Sequence, residues 1–194
     1  MAAPVLADSS CVTCWFADYS AVTPARPTDI ARLSSKLDDV LAAELAGAQE
    51  AMGATAEEIL LAALARSVAR TMGNGVLTVD VDNTPDNEGF RVGLRCDSRR
   101  DLSGPELLAA TRDAVDARGH VECPRADVRF SYQKSAARPA EDGAHPLSLY
   151  AYTDAGPVAG IRLDWTFDAR SFDWNTVEEL SEQFPLALIE VTSG

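Results

Sequence analysis

A chain of 194 residues with 46% hydrophobic side chains can bury one substantial core, so it is expected to form one domain or one lobe of a larger two-lobed unit. Its 30 acidic against 17 basic residues give a formal charge of -13, which repels nucleic-acid phosphates and anionic headgroups and excludes both as expected partners. The start MAAPVLADSS has no basic flank, and no later segment reaches the roughly 20 apolar residues of a membrane span, so a cytoplasmic protein is expected.

Residues 1–27 hold the least regular pattern, although Val12 to Val22 mixes aromatic and small residues as an edge strand or docking segment does. Ile30, Leu33 and Leu37 predict a strand, and Val40, Leu41, Leu45 and Ala48 a helix that ends at Gly53. Thr55 and Glu58 have capping-box spacing and open a second helix, apolar on nearly every face until Arg66 and Arg70, which should be the most buried of the molecule. Val76 to Val81 and Phe90 to Cys96 read as strands around a turn-rich segment, and Ser103 to Glu106 is another capping box that leads a helix toward Gly119. Val128 to Gln133, Leu147 to Thr153 and Val158 to Phe167 alternate as strands, the last two as a hairpin. A closing helix opens at Asn175 and Glu178 and should be kinked by Pro185. Helices alternating with strands imply an α/β, two-layer mixed sheet with helices mainly on one face.

Chemistry-bearing motifs are scarce. Cys11, Cys14, Cys96 and Cys123 come without a secretory signal, so free thiols are expected. Cys11-Val12-Thr13-Cys14 has zinc-knuckle or redox spacing, but no second C-x-x-C follows and Trp15 comes after the pair; no metal site and no cofactor is expected. His120 and His145 are far apart in the chain and read as surface loop residues. Ser131 and Cys96 lie in predicted strands without a base near them in sequence, and neither G-x-x-x-x-G-K nor G-x-S-x-G occurs.

Four stretches carry a resemblance. Leu37 to Ala69 has a helix, a Thr-led turn and an LLAALA helix; Val92-Gly93 follows a strand start; Asp127 to Gln133 reads DVRFSYQ; and Pro146 to Phe167 is a hairpin followed by a terminal helix. In this order they resemble the C-terminal lobe of the condensation and epimerization domains of nonribosomal peptide synthetases, half of a chloramphenicol-acetyltransferase-like fold. The likeness divides the chain into a segment 1–27 and a lobe 28–194. The family's His-His-x-x-x-Asp-Gly motif is absent, and about 27 residues are too few to fold the lobe that carries it, so no catalytic residue is assigned.

The resemblance implies that Ser131, Tyr132, Gln133, Val92 and Gly93 line a ligand or carrier-arm tunnel. Ser131 stands where the family commonly has Asn and lacks the second polar arm of an amide. Partner docking falls to Arg91, Arg95, Arg99 and Arg100, with Trp15 and Phe16 covering or docking on an apolar surface left by the missing lobe. The function expected is a stand-alone, catalytically silent lobe that binds itself or a protein partner, with a carrier protein or synthetase as candidates. The alternatives are a trans-acting subunit that completes an acyltransferase, condensation or epimerization site on carrier-bound substrates, and a small-molecule binder using a vestigial tunnel.

Overall fold

The computed structural model describes residues 16–21, 23–82, 89–117, 125–133, 144–153 and 160–193. A 3-10 turn, Pro27–Asp29, leads into β1 (Ile30–Leu37), α1 (Asp39–Met52), α2 (Ala56–Thr71), β2 (Gly75–Val81), β3 (Phe90–Cys96), α3 (Gly104–Asp116), β4 (Val128–Gln133), β5 (Leu147–Thr153), β6 (Ile161–Asp168) and α4 (Trp174–Thr192).

Local chemistry sets these boundaries. Asp38 accepts a hydrogen bond from the Leu41 N–H at 2.8 Å, and α1 stops at Gly53, whose φ of 58° is left-handed backbone that favours glycine. At the start of α2 the Thr55 hydroxyl accepts from the Glu58 N–H and the Glu58 carboxylate from the Thr55 N–H, at 3.1 and 2.8 Å, which satisfies two orphan donors reciprocally. Glu106 likewise accepts from the Ser103 N–H at 2.8 Å.

The six strands form one mixed sheet in the order β1-β6-β5-β4-β2-β3. β4 runs parallel to both β2 and β5, and the other neighbours are antiparallel, including the predicted β5–β6 pair. Strand alternation places Val79 opposite Val128, Val128 opposite Leu147, and Leu149 opposite Trp165, all fully buried on one face. The helices contact one another in a single layer over that face, with α2 touching α1, α3 and α4. Every residue from Ile59 to Ala69 is buried, as expected for the most enclosed helix. Trp165 meets Phe184 of α4 edge-on at 5.9 Å.

Three expectations change. Helix α4 begins one residue before Asn175, after Asp173, and runs through Pro185 as one element; burial of Phe184, Ala187 and Leu188 against α2 offsets the missing backbone donor. Helix α3 ends at Asp116, short of Gly119, which lies outside the described residues. Residues 16–21 form no strand. They are tied instead to the β6–α4 turn: Phe16 packs edge-on against Phe172 at 5.4 Å, the Tyr19 N–H donates to the Ser171 carbonyl, and the Tyr19 hydroxyl donates to Asp173.

At the far end of α4, a close approach joins two helix termini. A Cβ on Gly104 would lie 2.5 Å from the Val191 carbonyl oxygen and 2.6 Å from that of Glu190, so only glycine lets the N-terminus of α3 abut the C-terminal carbonyls of α4. The positive end of one helix dipole thereby meets the negative end of another.

A polar sheet face as candidate functional site

Among the described residues no helix covers the second face of the sheet. Its side chains are those that alternate with the core: Thr78 and Asp80 on β2, Arg91 and Gly93 on β3, Arg129, Ser131 and Gln133 on β4, with Ser148, Tyr150, Asp164, Thr166, Ser34 and Lys36 continuing across β5, β6 and β1. The only large exposed apolar side chain on this face among the described residues is Val76, at the start of β2, so no broad apolar surface lies here. The larger exposed apolar side chains include Val40 on α1, and Trp174, Leu186 and Ile189 on α4.

The polar groups of the face are tied to one another. Arg91 donates to both oxygens of Asp80, at 2.6 and 2.9 Å, and His145 Nε2 lies 2.9 Å from Asp80 Oδ2. An ionised carboxylate only accepts, so His145 carries its proton on Nε2. Burial pushes the Asp80 carboxyl up, but the hydrogen bonds from Arg91 and His145 and the charge of Arg91 outweigh it and hold the group below its ordinary value. Next along β2 and β4, Arg129 donates to Asp82 at 2.7 Å; farther across, Ser34 donates to Asp164, and the Gln133 amide donates to the Ser131 hydroxyl at 3.3 Å.

His145 is thus not a surface loop residue. Its side chain is only 13% exposed, with the ring set against Asp80 of β2. Its Nδ1 is buried without a hydrogen-bond partner among the described residues, so one ring nitrogen is occupied and the other is closed to solvent. The sequence carries no signal for this contact, since Asp80 and His145 are 65 residues apart.

The five residues predicted to line a tunnel divide between the two faces. Val92 and Tyr132 pack into the core on the helix side, whereas Gly93, Ser131 and Gln133 belong to the polar face. Strand β2 lies between β3 and β4, so Val92 and Gly93 do not sit beside Ser131. Ser131 is buried at 2% exposure. Of the predicted docking residues, Arg91 is engaged by Asp80, while Arg95 and Arg99 reach Asp97 at 3.7 and 3.0 Å and remain largely exposed, as does Arg100. Phe16 is buried in the lobe's own core, so it covers apolar surface and does not offer any. Trp15, His120, Cys11, Cys14 and Cys123 lie outside the described residues. Burial pushes the Cys96 thiol up to about 12, which leaves it an inert core side chain.

The sheet order and its single helix layer define half of a chloramphenicol-acetyltransferase-like fold, as used by condensation domains. In particular, the chain is similar to the epimerization domain from the third module of tyrocidine synthetase B, with 13% identity and a TM-score of 0.69, covering 91% of this chain and 50% of that one. The X-domain from teicoplanin biosynthesis matches at 18% identity and a TM-score of 0.67 over 89% and 49%, and has also been solved in complex with OxyB. The first condensation domain of the CDA synthetase matches at 17% and 0.60 over 92% and 48%. The chain spans about half the length of these structures, as a single lobe of a two-lobed domain does. No protein-family model and no curated protein matches it. Among the described residues no helix is long and apolar enough to cross a membrane.

Proposed function

We propose that this lobe is a binding module of condensation-type, carrier-dependent biosynthesis and performs no chemistry by itself. The observation that carries this reading is the state of His145: Nε2 is held by Asp80 and Nδ1 is buried, so the imidazole has no nitrogen with which to take a proton from a substrate. Ser131, on the same face, is buried and accepts from the Gln133 amide. Arg91 with Asp80 and Arg129 with Asp82 pair the charges of the face with one another.

Binding is assigned to Arg95, Arg99 and Arg100 at the end of β3, where exposed guanidinium groups gather on an otherwise acidic chain. Such a patch suits an acidic carrier protein. That an X-domain of this fold is solved in complex with OxyB supports a protein partner in general terms.

The test measures binding of the purified chain to carrier domains encoded beside it, by calorimetry at low and high salt. We expect binding that weakens with salt and falls at least about tenfold in R95E/R99E/R100E. Binding untouched by the triple reversal, or none at all, sinks the docking assignment. Turnover of a carrier-bound substrate by the chain alone sinks the claim of silence. Turnover restored only by adding a histidine-bearing half-domain moves the lobe to a trans-acting role.

A further inference from the structure

Beneath the loop that joins β3 to α3, a pocket of about 90 Å³ opens between α2 and α3. Its inner surface is small and apolar, made by Ala62 and Ala65 of α2, Leu107 of α3 and Leu102 of the loop. One wall is charged. Arg66, only 2% exposed, lines it with every arm of its guanidinium engaged: Nε and Nη2 donate to Glu190, each at 2.8 Å, and Nη1 donates to the Asp97 carbonyl at 2.6 Å. All three nitrogens are held and the charge is paired with Glu190, so this wall is fixed in place.

The mouth is different. Arg95 and Arg99 are 75% and 57% exposed and share the single carboxylate of Asp97, at 3.7 and 3.0 Å. With Arg66 paired to Glu190, the mouth keeps two guanidinium groups against one carboxylate, an excess of one positive charge. An occupant must bring a negative charge to the mouth and an apolar body small enough for the floor.

We propose that this pocket binds a short, branched aliphatic carboxylate, with its carboxylate between Arg95 and Arg99 and its alkyl tail on the alanine and leucine floor. Guanidinium forks match a carboxylate in geometry as well as charge, and the volume suits a tail of about four or five carbons. The proposal does not rest on the docking reading, although the two share Arg95 and Arg99.

The test is a titration of the full, 15N-labelled chain with isovalerate, followed by amide shifts. Saturable shifts are expected around Ala65, Leu102 and Leu107, with a dissociation constant on the order of millimolar for so small a ligand. Isovaleramide, which lacks the charge, and acetate, which lacks the tail, should each bind at least about tenfold more weakly, as should isovalerate to R99E. Ala110→Leu projects from the exposed rim of the pocket without altering any charge, and is expected to remove isovalerate binding while leaving carrier binding unchanged. Equal binding of isovalerate and its amide, equal binding of acetate, shifts that map elsewhere, or no saturation overturns the proposal. Absence of carrier binding by the native chain, with its isovalerate binding intact, counts against the docking reading alone.

Discussion

The two faces of the sheet are built on opposite principles. The helix-covered face is dry and apolar, with Leu77, Val79, Val128, Phe130, Leu149 and Trp165 at 0% exposure beneath α2 and α4. The other is made of paired charges and hydroxyls, several of them equally hidden: Ser131, Asp164 and Thr166 are 2%, 3% and 6% exposed. Burial alone therefore does not distinguish the faces; the free energy each contributes does. Removing an apolar group from the first leaves a cavity, whereas trimming the second leaves polar groups that neighbours or water can satisfy.

The largest expected effect follows directly. Phe184→Ala should lower stability by about 3–5 kcal/mol through the cavity left under Trp165, and Ser131→Ala on the other face by about 1 kcal/mol or less, because the half-exposed Gln133 amide can turn to water. Denaturant midpoints of the two variants make the comparison. Equal losses would mean that the polar face is as structural as the core.

Much of the covered face was legible in advance and little of the polar one. Helix limits came from Thr55 with Glu58, Ser103 with Glu106, and Gly53, because caps are local chemistry between residues a few positions apart. Strand alternation named the core for the same reason. The order in which strands assemble is not local, and neither is the pairing of Asp80 with His145 or of Arg66 with Glu190, 124 residues away. Residue types revealed that charges were present; only the fold decides which of them meet. Pro185 shows the converse, a residue without a backbone donor carried inside α4, which packing sustains as one element to Thr192.

The middle effect concerns an ion pair within the helix layer. Glu190 on α4 takes a bidentate bond from the buried Arg66 and another from Arg70 at 2.9 Å. Replacing it by alanine strands a guanidinium that has almost no solvent, for a loss of about 3 kcal/mol at neutral pH. The hydrogen bond from Arg66 and the attraction of both arginines hold the Glu190 carboxyl below its ordinary value despite burial. A depressed folded pKa means stability that is complete above the unfolded value, about 4.3, and is lost as pH falls through the folded one. The gap between the native chain and E190A should thus be constant above about pH 5 and narrow toward pH 3 in urea melts. A gap that widens in acid would contradict the pairing.

The smallest effect tests the polar face at its most connected point. Asp80 is also depressed, so its contribution has the same sign with pH, but its side chain is 28% exposed and Arg91 is 30% exposed, and solvent can replace most of what is lost. Asp80→Asn should therefore lower stability by about 1 kcal/mol or less, well under the loss in E190A. What it changes is the imidazole. In the native chain the carboxylate fixes the proton of His145 on Nε2, and ring 15N shifts should report that single tautomer. In D80N the neutral amide can donate or accept, so the shifts should move toward a mixture while the fold stays intact. If the native ring already reports a mixture, the carboxylate does not hold the histidine, and Nε2 regains the freedom that the proposed silence of the site denies it.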